Sequence, residues 1–274
     1  MTTAGGEAAL FTREGDLYLP SEHTRGPWDP NALHGGAPAA LLTKCFEEEV
    51  AGTDLVFGRL GFEFLRPIPM APLEISVSVA RPGRRVRELQ ATLESDGQVI
   101  GRADALLVRP VGADIPVAGG RPERMAPKED AVAVAPEAAS EAGPESGLMP
   151  GSTGFGSSGM ELRWLDQPWT PGPARVWVRP KMDLLPGEPM SPVARAAAAA
   201  DFGNGVGAEL PFDRFLFINA DLSLHLWRVP EGEWVGIDAR TLLSVGGPGL
   251  AESVMHDESG AIGRAFQTLV VEGR

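Results

Sequence analysis

Cysteine is almost missing: Cys45 is the single one in 274 residues. That excludes a disulfide framework and a thiolate metal site. Histidine is sparse as well. The 4 present, at 23, 34, 225 and 256, are too scattered for a zinc site, and no His-Glu-x-x-His occurs. Basic charge is short: 24 Lys and Arg against 37 Asp and Glu leave a net −13. That balance argues against a nucleic-acid groove and against peripheral binding to an anionic membrane. No apolar run is long enough to span a bilayer. The opening MTTAGGEAALFTREGD lacks a basic start and an apolar signal core. No G-x-S-x-G occurs, which disfavours a serine hydrolase. These absences predict a soluble, cytoplasmic protein with no metal site, no nucleic-acid partner and no membrane partner.

What is present is apolar and patterned. The chain is 43% hydrophobic, ample for a core. Residues 10–20 read as a strand or hairpin, and 21–33 as a turn-rich loop around Gly26-Pro27-Trp28-Asp29-Pro30. A buried helix is expected from Gly36 to Val50, where Gly35 and Gly36 leave backbone N–H groups open to a ligand. Strands follow at 60–67, 73–82, 85–95 and 99–110, with Asp96-Gly97 as a hairpin turn. Residues 111–159 turn rich in Pro, Ala, Gly and Glu and read as a connection. Gly154 to Gly159 match G-x-G-x-x-G. No strand precedes the match and no helix follows it, so a Gly/Ser-rich loop is expected rather than a dinucleotide site.

The stretch Ser191 to Gly205 organises the second part. Ser191 suits a helix cap and Pro192 its first position. An alanine run then gives a slim helix that ends at Asp201-Phe202-Gly203, with Gly203 as a stop. Asp201 stands in the last turn, where the macrodipole disfavours a carboxylate. An acid at the wrong end of an apolar helix points to a base kept for chemistry. Strands are expected at 160–168, 174–184, 218–230, 233–245, 249–257 and 261–273.

This is again one helix followed by antiparallel strands. Ile100-Gly101-Arg102-Ala103 recurs as Ile262-Gly263-Arg264-Ala265, a shift of 162, and the same shift carries Arg66 to Arg228. The chain therefore reads as two copies of one α+β unit, 1–110 and 160–274, with their sheets paired edge to edge. His34-Gly35-Gly36 has no counterpart in the second copy, and Asp201-Phe202-Gly203 has none in the first.

Leu33-His34-Gly35-Gly36, Ala200-Asp201-Phe202, the strand Asn219 to Arg228 and Ala265-Phe266-Gln267-Thr268 together resemble the double-hotdog acyl-CoA thioesterases. The likeness covers nearly the whole chain outside 111–150. It implies a tandem hotdog: two antiparallel sheets, each wrapped on a central helix, joined edge to edge. It implies hydrolysis of a small-molecule acyl-CoA thioester in lipid metabolism by a water held at an Asp, a Thr and a Gln, with no cofactor, coenzyme A being part of the substrate. The Asp matches Asp201 and the Gln matches Gln267. The Thr position falls on Asn219, a departure, although an amide can still hydrogen-bond water.

Thioester chemistry asks little of a protein, because a thiol of pKa about 8.5 leaves readily. It needs a base for water and donors for the oxyanion. Asp201 is the candidate base, with Asn219 and Gln267 placing water or polarising the carbonyl. Gln267 lies in an apolar strand, and its repeat partner is Ala105, so the fold alone does not require an amide there. Gly36, with Gly35, is a candidate oxyanion donor, and His34 a candidate substrate contact. Arg84, Arg85 and Arg87, beside Arg81, are candidate contacts for coenzyme A phosphates. Trp164, Trp169 and Trp177 could line an acyl or adenine pocket or fill core. Two rivals remain open. One is an acyl-thioester-binding protein without turnover. The other is an enoyl-CoA hydratase, which needs a close Asp/His pair that no single helix here offers. Assembly of protomers into a homo-oligomer is left open.

Overall fold

The alanine run folds as expected, and the reason is steric. A computed structural model describes residues 9–112, 115, 124–133 and 153–274. In it α2 spans Pro192–Ala200, and the Ser191 hydroxyl accepts the Ala194 N–H at 3.0 Å. Ala194 and Ala196 to Ala200 are fully buried. Small side chains are needed because α1, Gly36–Glu49, lies against α2 almost backbone to backbone. A Cβ on Gly36 would stand 2.5 Å from the Ala198 carbonyl oxygen.

A curved antiparallel sheet wraps these two helices. The first copy supplies β1 (Phe11–Glu14), β2 (Leu17–Pro20), β3 (Val56–Phe64), β4 (Leu73–Arg81), β5 (Val86–Ser95) and β6 (Gln98–Val108). The connection adds β7, Val132–Ala133. The second copy supplies β8 (Met160–Trp164), β9 (Ala174–Pro180), β10 (Phe215–Asn219), β11 (Asp221–Leu226), β12 (Val235–Leu242), β13 (Gly249–Asp257) and β14 (Gly260–Gly273). Asp96 and Gly97 turn the β5–β6 hairpin with φ of 50° and 70°, the left-handed pair such a turn demands.

Strand order makes the duplication visible. The path runs β1-β2-β4-β5-β6-β3-β11-β14-β13-β12-β9-β8-β7, with β10 also on β14. Outward from the β3–β11 seam, each copy lays down its strands in the same sequence. The shift of 162 carries the start of β4, Leu73, to the start of β12, Val235. At the seam Leu60 pairs Leu224 and Phe62 pairs Leu222, all buried. The two sheets thus join edge to edge into one of 14 strands.

Three expectations need correction. Gly203 does not stop a helix. It opens a short turn, α3, Gly203–Val206, where a Cβ would lie 2.6 Å from Ser253 Oγ and 2.8 Å from Gln267 Oε1. The single strand expected over 218–230 is broken at Ala220 into β10 and β11. There the Asp221 carboxylate accepts the Thr268 N–H at 2.7 Å, replacing a ladder bond. Part of the stretch read as a Gly/Ser loop is a π-helical turn, Phe155–Gly159, which buries Phe155 completely. Most of the connection 111–159 lies outside the described residues. The part that is described is pinned down, since Trp177 Nε1 donates to the Ala126 carbonyl at 2.9 Å.

The helix pair carries a polar contact at each end. At one end the Ser191 hydroxyl donates to Glu47 Oε1 at 2.6 Å. Burial holds the Glu47 carboxyl above its ordinary range, partly offset by that hydroxyl. At the other end lie His34 and Asp201.

Candidate active site

Asp201 is the C-cap residue that follows α2, its side chain 4% exposed. Three side chains converge on it. Asn219 Nδ2 donates to Oδ1 at 2.9 Å. Gln267 Nε2 lies 3.4 Å from the same oxygen and 3.3 Å from the Asp201 carbonyl. His34 Nδ1 lies 2.8 Å from Oδ2. Each arrives from a different element. The break at Ala220 turns Asn219 inward, as irregular strands near functional sites often do. Gln267 stands on the inner face of β14, 1% exposed, where its Oε1 accepts the Asn204 N–H at 2.9 Å. His34 precedes α1, and the close approach of Gly36 to Ala198 brings its ring to the end of α2.

The His34 Nδ1 atom faces two partners, the Asp201 carboxylate and the Gly36 N–H at 3.1 Å. One ring nitrogen can serve only one of them in the plane. A proton on Nδ1 gives a charge-assisted bond to Asp201, the stronger of the two. Phe202 and Phe155 stack on each other at 5.7 Å and both pack against the imidazole, with ring centroids 4.5 and 5.0 Å from it. An ionised carboxylate offers about four lone-pair positions. Asn219, Gln267 and His34 take three, which leaves one on Oδ2. Gly35 keeps that side open: a Cβ there would come within 2.8 Å of Oδ2.

Of these groups His34, Gly35, Asp201, Phe202 and Asn219 line a cavity of about 370 Å³. Its floor is His34, Asp201, Phe202 and Asn204, and its walls are mainly Trp28, Phe64, Trp169 and Phe212. Arg66 stands at the exposed lip beside Leu65 and Pro67. A larger concavity, about 510 Å³, lies on the outer face of β4, β5 and β6 and touches none of these groups.

The structure therefore brings together Asp201, Asn219, Gln267, His34 and Gly35. Gln267 does not line the cavity; it touches Asp201 from behind. Gly36 does not line it either, because its N–H points at the His34 ring. Arg84, Arg85 and Arg87 are elsewhere. Their hairpin joins β4 to β5 at the Val56–Val108 end of the sheet, whereas the cavity opens at the Phe64–Gly101 end. The nine residues of β3 separate the two ends by roughly 26 Å. Of the three tryptophans, Trp169 lines the cavity, while Trp164 and Trp177 are buried. The close Asp/His pair that no one helix offers exists between two helices. Sequence reasoning missed Phe155, Asn204, Phe212 and Trp28. Only Trp28, a bulky ring inside a Gly/Pro turn, carried a readable signal. Among the described residues no cluster of His, Cys, Asp and Glu could hold a metal ion. Nor is any described helix long and apolar enough to cross a membrane.

Comparison with solved structures finds the same architecture. A Thermobifida fusca YX protein assigned to the thioesterase II class superposes with a TM-score of 0.71 at 18% identity, over 96% of this chain and 95% of that one. A Novosphingobium aromaticivorans protein assigned as a thioesterase gives 0.71 at 20% identity, over 96% and 99%. An Alicyclobacillus acidocaldarius protein of hot dog fold gives 0.69 at 17% identity, over 100% of each chain. At these identities the likeness shows the fold: a double hotdog. No curated protein matches the sequence. Family profiles do: the acyl-CoA thioesterase N-terminal domain matches residues 24–108 and the C-terminal domain matches 129–271. Matched in both its halves over most of its length, the chain belongs to the acyl-CoA thioesterase family.

Proposed function

We propose that the protein hydrolyses an acyl-CoA thioester to the free acid and coenzyme A, with Asp201 as general base. The observation that carries this reading is the Asp201 carboxylate, buried at the floor of an apolar cavity and held by Asn219 and His34 with one Oδ2 position free. A water seated there gives its proton to Asp201 as its oxygen attacks the thioester carbonyl. The tetrahedral intermediate collapses, the C–S bond breaks, and the thiolate takes a proton from solvent or from Asp201. Asn219 orients the carboxylate and offers its amide to the water. Gln267 is a positioning residue, because it reaches Asp201 and not the cavity. His34 fixes the Oδ2 side. Arg66 at the lip supplies a cation for the phosphates of the carrier, in place of the distant Arg84 to Arg87 hairpin. Thiol release over a panel of acyl-CoA esters tests the proposal. Steady release is expected, and tight binding with no release would sink it.

The His34–Asp201 pair favours one other reading, addition of water across an enoyl-CoA double bond. There the same carboxylate and imidazole would share the proton traffic while the C–S bond stays intact. Loss of enoyl absorbance without thiol release would select it. Thiol release without loss of the enoyl band would select hydrolysis.

A further inference from the structure

Three rings from three distant segments face the cavity together. Trp28 comes from the loop before α1, Trp169 from the β8–β9 loop, and Phe212 from the loop before β10. Trp28 and Phe212 stack, with centroids 5.8 Å apart and planes 20° apart. Trp169 meets Phe212 edge-on at 6.0 Å and 84°. Phe217 lies behind them, 3% exposed, and shows what a ring that only fills core looks like. The other three are only half-buried, and they line the cavity. Trp169 is held in place by a left-handed backbone with φ of 55°. That conformation is unfavourable for a bulky side chain and persists only where the surroundings impose it.

We infer that the cavity selects an acyl group ending in a flat aromatic ring. The inference rests on the acyl-CoA reading and narrows it. Shape argues for it, since ring planes near parallel and near perpendicular to one another line the same wall. A planar ring can join such a set by the offset and edge-to-face contacts aromatic pairs prefer. A saturated ring of the same carbon count has no π face to offer them. Size agrees. A cavity of roughly 150 Å³ holds a benzene molecule, so about 370 Å³ takes an aryl group together with its thioester head. At the same volume per carbon a palmitoyl chain alone needs roughly 400 Å³.

The test compares two unreactive probes, the 2-phenylethyl and 2-cyclohexylethyl thioethers of coenzyme A, by titration calorimetry. The phenyl probe is expected to bind about fivefold tighter, equivalent to about 1 kcal/mol. In Trp169→Leu and Phe212→Leu, which keep an apolar wall without the ring, that ratio should fall toward one. Equal binding, tighter binding of the cyclohexyl probe, or no binding of either overturns the inference. Thiol release from phenylacetyl-CoA and cyclohexylacetyl-CoA is read in parallel. Release without a ring preference defeats the inference and spares the hydrolase. A ring preference without release from any thioester does the reverse.

Discussion

Replacing Asp201 by Asn isolates the chemistry from the fold. The substitution keeps shape and volume, and the partners can adapt. The new amide oxygen can still accept from Asn219 Nδ2, at the 2.9 Å now spanned by Oδ1. The new amide nitrogen faces His34 Nδ1, 2.8 Å away. His34 then moves its proton to the other ring nitrogen and accepts, so the contact at Nδ1 is kept with its direction reversed. Stability should change by less than about 1 kcal/mol, because one hydrogen bond replaces another. For a domain of this size that is a shift in Tm of no more than about 2–4 °C. Activity should behave differently. An amide cannot take a proton from water, and a positioned general base contributes about 10²- to 10⁴-fold. Thiol release followed at saturating acyl-CoA, beside a thermal melt of the same sample, reads both quantities. A variant that melts normally and retains activity within about tenfold of the parent would refute the assignment of Asp201.

Three further outcomes follow from named contacts. Gly35→Ala places a Cβ 2.8 Å from Asp201 Oδ2 and 3.0 Å from Phe64 Cζ; the carboxylate must move, and kcat/KM should fall by about 10²-fold with the secondary structure retained by circular dichroism. Glu47→Gln still accepts the Ser191 hydroxyl but cannot ionise. Burial raises the Glu47 pKa in the folded state, so the native form holds its proton longer, and its stability falls as pH rises through that value. The variant should therefore melt higher than the parent at pH 7 and match it below about pH 4. Asp257 behaves in the opposite sense. Burial alone would raise its pKa, but the Arg228 guanidinium and the N–H groups of Glu231 and Ser259 outweigh it and hold the carboxyl low. Its contribution is present above about pH 4 and is lost as pH falls through the lower folded value. Asp257→Asn should cost about 2–3 kcal/mol at pH 7 in urea melts, with the difference shrinking in acid.

Much of this was readable from residues alone, and the misses have physical reasons. The β4 range follows from alternation, and the start of α2 from Ser191-Pro192. Asp201 stood out as a carboxylate at the negative end of a helix, and Gln267 as an amide where its repeat partner is Ala105. The His34–Asp201 contact could not be read, because it depends on how closely two helix backbones approach at Gly36 and Ala198. The break at Ala220 carries no propensity signal; it is imposed by the Asp221 carboxylate capturing a strand amide. The distance of the arginine hairpin from the cavity could not be read either, because charge clustering reports exposure, not which end of a sheet the cavity opens toward. Gly203 was misread because its lack of a side chain serves Ser253 and Gln267 rather than a left-handed turn.

Joining both copies in one polypeptide lets the two ends of the helix pair diverge. In a dimer of identical chains any substitution would strike both ends, so a change that suited one would burden the other. Here the Glu47 carboxylate steadies a serine while the Asp201 carboxylate faces a cavity, and neither constrains the other. Titration with a tight thioether inhibitor should accordingly saturate at a single equivalent for each polypeptide, not two.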